Sequence, residues 1–178
     1  GCAMEARLYA ENPATGFMPS VGPLEHLRLP AGIRVDSAVA QGDCVSAHYD
    51  AMIAKLTAHA PTRLAAASQL ASACAQVQVW PVRTNAAFLR RALTNADFLA
   101  ANIDTGFIAR HANALLPVEA PAEEVLQAAA RALLPRATDP WTALAGFRMS
   151  GPWERRVRVD VAGHAYQVQC DQSRVRAA

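Results

Sequence analysis

The sequence has few of the features that point to nucleic acid, a membrane or secretion. Its formal net charge is only +2 over 178 residues, which is too small to favour binding to nucleic acid. No apolar run approaches the roughly 20 residues of a membrane-spanning helix, and no signal peptide is visible. We therefore expect a cytoplasmic protein whose partners are neither nucleic acid nor membrane.

Residues that commonly hold metals are present but scattered. The four cysteines, at positions 2, 44, 74 and 170, form no C-x-x-C pair, so the sequence predicts neither a zinc site nor a disulfide framework. The five histidines show no i, i+4 pairing, and no glycine-rich phosphate loop is present. We expect no metal site. A composition of 52% apolar and 18% charged residues is typical of a globular chain.

The clearest pattern lies at the start of the chain. Apolar residues occupy positions 4, 6, 8 and 10, whereas Glu5, Arg7 and Tyr9 occupy the positions between them. This alternation predicts a strand with one face on a core and a polar opposite face. Asn12 and Pro13 are expected to end the strand and Gly16 to turn the chain. On spacing alone, the favoured interpretation is a half-exposed strand with an ion pair between Glu5 and Arg7.

Further strands and then helices follow. Strands are predicted at 23–30, 33–39 and 52–59, although the alanine content of the last leaves a helix open. A helix is expected to begin with Thr62 as its N-cap, and a second to be capped by Thr84. Residues 77–82 are β-like, and short helices are expected near 97–102 and 106–112. The predicted fold class is α+β, mostly antiparallel strands followed by helices.

The C-terminal third is predicted to hold a helix from Ala122 to Leu134 and a β-hairpin from Arg155 to Cys170, turning at residues 162–163. A lone hairpin is marginal in water. We therefore expect its apolar side to be mobile or to pair with a neighbouring molecule. The predicted divisions are a domain at 1–115, a linker and helix at 116–140, and the hairpin region at 141–178.

Three separated motifs resemble one known family. They are EARLYAENPATGFMPSVGPLEHLRLP from Glu5, GDCVSAHYDAMIAKL at 42–56, and VRTNAAFLRRAL with DTGFIARH within 82–111. Residues 1–112 resemble the C-terminal domain of biotin carboxylase, in the α subunits of biotin-dependent acyl-CoA carboxylases. The chain departs from the family pattern at Cys2, Asn12 and Ala51, where His, Asp and Pro are usual. The tail WTALAGFRMSGPWERRVRV resembles the methylcrotonyl-type subunit, where a β-barrel-like domain that joins the subunits begins. The near-absence of lysine is typical of a GC-rich bacterial gene.

The resemblance implies ATP- and bicarbonate-dependent carboxylation of biotin, with ATP, Mg²⁺ and biotin used by the parent enzyme. In the family, the phosphate loop and the magnesium ligands belong to an upstream ATP-grasp part, and biotin is carried on a separate carrier domain. We therefore expect this chain to be a piece of a longer protein that is inactive alone and binds none of these cofactors by itself. The implied partners are the ATP-grasp part, the biotin carrier domain, a carboxyltransferase β subunit and a second copy in a homodimer. The alternative is a non-catalytic interaction or dimerisation module.

The resemblance also implies roles for five residues. Arg7 matches the arginine that stabilises the biotin anion, and the alternative is a structural ion pair within its strand. Asp50 matches a carboxylate on the biotin side, and otherwise is a turn residue or cap. Thr105 and Phe107 match the segment at the adenine edge of ATP, with an N-cap as the alternative for the threonine. Arg34 matches a position in the homodimer interface, or is a solvated strand residue.

Overall fold

Residues 1–116, 120–134, 154–161 and 164–171 are described by the structure, a computed structural model. The chain divides into two units, residues 1–117 and residues 118–178. The elements of the first unit are β1 (Cys2–Tyr9), β2 (Glu11–Asn12), β3 (Met18–Pro19), β4 (Gly22–Arg28), β5 (Arg34–Ser37), β6 (Cys44–Val45), β7 (Met52–Ala60), α1 (Arg63–Gln76), β8 (Gln78–Pro81), α2 (Ala86–Thr94), α3 (Ala96–Leu99), α4 (Phe107–Arg110) and α5 (Ala112–Leu115). Those of the second are α6 (Glu123–Leu133), β9 (Glu154–Val161) and β10 (His164–Asp171).

Two antiparallel sheets organise the first unit. One has the strand order β1-β7-β5 and the other the order β6-β4-β8. The segment at 52–59, for which a helix was also open, is therefore the central strand β7. The predicted α+β class, with antiparallel strands followed by helices, is confirmed.

The core of the first unit lies between the β1-β7-β5 sheet and α1. Leu8, Ile53 and Leu56 on the strands and Leu70 on the helix are fully buried. Strand β1 alternates buried and exposed residues as predicted. Its charged positions therefore project from the sheet face opposite α1.

The helix starts show where local reasoning succeeds and where it fails. Thr62 is the N-cap of α1 as predicted, and its hydroxyl accepts a hydrogen bond from the Ala65 amide at 3.2 Å. The prediction that Thr84 caps α2 is wrong, because Asn85 occupies the N-cap position. Asn85 makes no side-chain cap bond, since its amide group is hydrogen-bonded to the backbone of β1 instead.

The second unit is a helix on a hairpin. Strands β9 and β10 pair antiparallel, with Val159 opposite Tyr166 and Val157 opposite Val168. The expectation that the apolar side of the hairpin would be mobile or pair with another molecule is wrong, because α6 of the same chain covers it. Leu126 of α6 is buried with Val159 and Val168. The predicted turn at 162–163 and residues 141–153 of the predicted hairpin region lie outside the described residues.

None of the helices that the structure describes is long and apolar enough to cross a membrane.

Candidate functional site

The outer face of the β1-β7-β5 sheet carries a group of charged side chains that we call the charged face. Its members are Glu5 and Arg7 of β1, Arg34 and Asp36 of β5, and Lys55 of β7. Strand register aligns them in rows across the sheet. Arg7 and Asp36 are both paired with Lys55, on opposite sides of it, whereas Glu5 and Arg34 both flank Thr57. The structure thus brings Arg7 and Arg34, predicted for different roles, onto one surface.

Ion pairs join the three strands of the charged face. Arg7 Nε lies 3.5 Å from Glu5 Oε1, and Arg34 Nε lies 3.1 Å from Asp36 Oδ2. Lys55 links the two pairs, because its Nζ lies 3.9 Å from Glu5 Oε2 and 3.6 Å from Asp36 Oδ2. Each carboxylate therefore lies between two cations. The ion pair of Glu5 and Arg7 that the spacing predicted is present.

The pKa shifts on this face all favour the charged forms. A hydrogen bond from Arg34 lowers the pKa of Asp36, and burial opposes this shift only in part. Hydrogen bonds with Tyr9 and then Glu5 raise the pKa of Arg7. Arg7 therefore stays positively charged and does not act as a general acid. Its side chain is 63% exposed, so the planar guanidinium is open to an anionic ligand.

Two carboxylates, those of Glu11 and Asp50, lie near the end of β1, where β2 begins. The Ala10 amide donates to the Ala51 carbonyl at 2.8 Å, which holds the segment containing Asp50 beside this end of the strand. Burial, and then the charge of Asp50, raise the pKa of Glu11. The Asp50 and Glu11 carboxylates are therefore close enough for their charges to interact. Among the described residues the ion-pair partner of Arg7 is Glu5 and not Asp50.

Thr105 lies just before α4, and Phe107 is the first residue of this helix. The N-cap of α4 is Gly106, whose amide donates to Asp104 Oδ1 at 2.8 Å, so the N-cap alternative for Thr105 is wrong. Thr105 is exposed, whereas Phe107 is buried, with its ring centroid 4.9 Å from that of His111. No hydrogen bond or ion pair between described residues links either of them to the charged face.

Sequence reasoning missed two residues of this site. The sequence alone assigns no role to Lys55, although its outward position on β7 places it at the centre of the charged face. Asn85 is the one buried polar residue among those the structure describes. Its partners on β1 are 76 and 78 positions away in sequence, so no local pattern could have found them.

The described residues contain no group of three or more His, Cys, Asp or Glu side chains that could hold a metal ion. The charged face, with a fixed and open cation at Arg7, is instead suited to binding an anion or stabilising a developing negative charge.

Comparison with known proteins identifies close relatives of the chain. The family model for the biotin carboxylase C-terminal domain matches residues 5–110. The methylcrotonoyl-CoA carboxylase α subunit of Dictyostelium discoideum is 37% identical over 172 residues, covering 89% of this chain and 25% of that protein. The same subunit of Rattus norvegicus is 45% identical over 134 residues, covering 72% of this chain and 19% of that protein. The chain thus spans a quarter or less of the length of these relatives.

A solved structure has the same fold over much of the chain. It is the biotin carboxylase domain dimer of the Hydrogenobacter thermophilus 2-oxoglutarate carboxylase, in complex with MgADP, ADP and bicarbonate. The TM-score is 0.63 at 31% sequence identity, with 66% of this chain and 26% of that chain covered.

Proposed function

Because this chain belongs to the family of biotin carboxylase C-terminal domains, we propose that it forms one wall of an active site that carboxylates biotin with ATP and bicarbonate. The observation that carries the proposal is the charged face. It presents Arg7 as a fixed and largely exposed cation on a strand whose other face is part of the core.

Arg7 is proposed as the catalytic residue. Carboxylation of biotin passes through an enolate-like anion on the ureido group, and a preorganised cation beside the ureido oxygen stabilises that charge. The guanidinium fork also suits two-pronged contact with bicarbonate. Glu5 contacts Arg7 through Nε, and the Arg7 side chain is 63% exposed, so the guanidinium is accessible to a ligand.

Asp50 is proposed to approach biotin from the same side as Arg7. Its exposed position and its proximity to Glu11 support this assignment. Thr105 is proposed for the adenine edge of ATP, with Phe107 shaping the segment from within the core. The described residues offer no ligand cluster for Mg²⁺, so we assign this chain no step in phosphate or metal chemistry.

Arg34 is proposed to contribute to a homodimer interface. Its side chain is 73% exposed on β5, an edge strand of its sheet, and a homologous biotin carboxylase domain was solved as a dimer. The other proposed partners are an ATP-grasp part, a biotin carrier domain and a carboxyltransferase β subunit. Similarity to two methylcrotonoyl-CoA carboxylase α subunits favours that branch of the family.

A non-catalytic dimerisation module is the second candidate. It is favoured by the ion pairs that already engage every charged residue of the charged face. Under either proposal the purified chain alone should not hydrolyse ATP. Biotin-dependent ATPase activity of the 178-residue chain would contradict both.

The test of the catalytic proposal is substitution of Arg7 in a complete biotin carboxylase whose C-terminal domain is this chain. Arg7→Ala should lower turnover on the order of 100- to 1000-fold, about 3–4 kcal/mol, by analogy with removal of an oxyanion donor. Arg7→Lys should recover only part of this loss, because an ammonium lacks the fork. The measurements are the rate of biotin carboxylation and the thermal unfolding midpoint.

Arg28→Ala is the matched control, since Arg28 is also an exposed strand arginine but lies on the other sheet. It should leave turnover unchanged. Near-normal carboxylation in Arg7→Ala, together with a large loss of stability, would instead make Arg7 a structural partner of Glu5.

A further inference from the structure

Strand β1 is an edge strand, and next to Arg7 its outer edge is hydrogen-bonded to Asn85. Among the described strands, the sheet order β1-β7-β5 gives β1 a neighbour on one side only. On the other side Asn85 makes three hydrogen bonds. Its Oδ1 accepts from the Tyr9 amide at 3.0 Å, its Nδ2 donates to the Arg7 carbonyl at 3.2 Å, and its backbone amide donates to the Tyr9 carbonyl at 3.2 Å.

The side chain of Asn85 replaces a missing strand. A carboxamide offers one acceptor and two donors in a plane, so it can pair with strand backbone as a peptide group does. Asn85 is only 6% exposed, and so its hydrogen bonds are shielded from competing water. Ionised aspartate, which has nearly the same size, supplies the acceptor for the Tyr9 amide but no donor for the Arg7 carbonyl.

The side chain of Asn85 does not cap helix α2, although Asn85 occupies the N-cap position. Asparagine at an N-cap normally accepts a hydrogen bond from the first turn of its helix, as Asn95 does for α3 with the Asp97 amide at 2.9 Å. Asn85 makes no such bond. The contrast between the two asparagines indicates that the Asn85 amide serves β1 and not its own helix.

We infer that Asn85 is a positioning residue for Arg7, because it fixes the backbone of β1 on both sides of Leu8 and so sets the direction of the guanidinium. This inference rests on the proposed function of Arg7. Stabilisation of a developing charge requires donors held within about 0.5 Å of their working place. Without these hydrogen bonds the backbone of β1 could shift, and the exposed side chain of Arg7 would then vary in direction. Asn85 supplies the restraint without touching the ligand.

The competing explanation is that Asn85 only ties α2 to the sheet and so stabilises the fold. A double-mutant cycle separates the two. In a complete biotin carboxylase with this chain as its C-terminal domain, Asn85→Ala should lower kcat about 10- to 100-fold, by analogy with the outer-shell residues that orient metal ligands. In an Arg7→Ala background the same substitution should have almost no further effect on the rate of carboxybiotin formation.

Two further variants distinguish a loss of positioning from a simple loss of stability. Thr62→Ala removes the cap of α1 and should lower the unfolding temperature with kcat unchanged, which makes it the control for simple destabilisation. Asn85→Asp keeps the acceptor for the Tyr9 amide and loses the donor to the Arg7 carbonyl. Aspartate is also favourable at a helix N-cap, so this variant should fold even if Asn85→Ala does not, and its kcat should still fall. In the 178-residue chain, Asn85→Ala should also speed hydrogen exchange of the Tyr9 amide.

The outcomes are distinct. If Arg7→Ala retains normal turnover, the proposed function fails, whatever Asn85 does. If Arg7→Ala is impaired but Asn85→Ala and Asn85→Asp keep normal kcat, the positioning role is overturned. Losses from Asn85→Ala that are equal in the wild-type and Arg7→Ala backgrounds would also overturn it.

Discussion

The two faces of the β1-β7-β5 sheet differ in almost every physical property, although neighbouring residues of one strand build both. On β7, Leu56 is fully buried while Lys55, one position earlier, contacts Glu5 and Asp36 on the outer surface. The inner face stabilises the fold through apolar burial, whereas exposed ion pairs contribute little. A strand can therefore change its chemistry on one face at small cost to stability, and we place the proposed function on that face.

The hairpin of the second unit shows the same division with a different result. Val159 is buried against α6, and the neighbouring Arg158 pairs with Asp160 on the exposed side at 3.1 Å. This pair lies within one strand. On the first sheet, by contrast, Lys55 connects carboxylates from two different strands. Alternation alone thus produces a charged surface, but only cross-strand register produces a connected one.

The largest effect should come from the inner face. Leu56→Ala is expected to lower the free energy of unfolding by about 3–5 kcal/mol, because it leaves a cavity in a fully buried site. Thr57→Ala, the next residue and on the outer face, is the control and should cost less than about 1 kcal/mol. Urea unfolding of the 178-residue chain measures both. Equal losses would contradict the division between the faces.

A smaller loss is expected for the core of the second unit. Leu126 of α6 is 6% exposed and packs with the hairpin, whereas the adjacent Val125 is 58% exposed. Leu126→Ala should cost about 2–3 kcal/mol and should speed amide exchange along β9 and β10. Val125→Ala should leave exchange unchanged. Fast exchange of the hairpin in the wild-type chain would show that α6 does not cover it in solution.

The free energy of unfolding should fall at alkaline pH because α1, the helix that covers the inner face, contains a buried thiol. Burial raises the pKa of the Cys74 thiol from 9.0 to about 11. The folded state then holds its proton more tightly than the unfolded state, so stability is full below pH 9 and falls as the pH rises towards about 11. For a pKa that rises from 9.0 to about 11, the expected loss is about 2–3 kcal/mol, because each pKa unit corresponds to roughly 1.4 kcal/mol.

This pH dependence is measured by urea unfolding across that range. Cys74→Ala should remove it, whereas Cys44→Ala, at an exposed thiol, should retain it. An unchanged slope in Cys74→Ala would assign the effect to other groups.

The smallest effect should come from the outer face itself. Lys55→Met removes the link between Glu5 and Asp36, and because its partners are partly exposed the cost should be below about 1 kcal/mol. The cost should shrink further at high salt, since screening weakens the wild-type pairs. Arg158→Met on the hairpin is the comparison. A large, salt-independent loss for Lys55→Met would mean that the charged face stabilises the fold.

Local patterns predicted much of the fold, and they failed where a partner is distant in sequence. Alternation in β1 and the Thr62 cap of α1 were recognisable because each depends on residues within one element. The local sequence favours Thr84 as the cap of α2, because nothing nearby shows that Asn85 occupies the cap position and bonds to β1. It gives no sign that α6 covers the hairpin, because α6 lies at least 20 positions earlier in the chain.

Sequence by itself determined the family, the strand phases and therefore which residues of β1 face outward, because side-chain direction in a strand follows from period two alone. Tertiary structure decided which outward residues meet. Register between β1, β7 and β5 joins Arg7, Lys55 and Arg34 into one surface, and packing of α2 brings Asn85 to the free edge of β1. The physical reason is that hydrogen-bond pairing across strands, and burial of a helix against a sheet, relate residues by distance in space, which no local periodicity encodes.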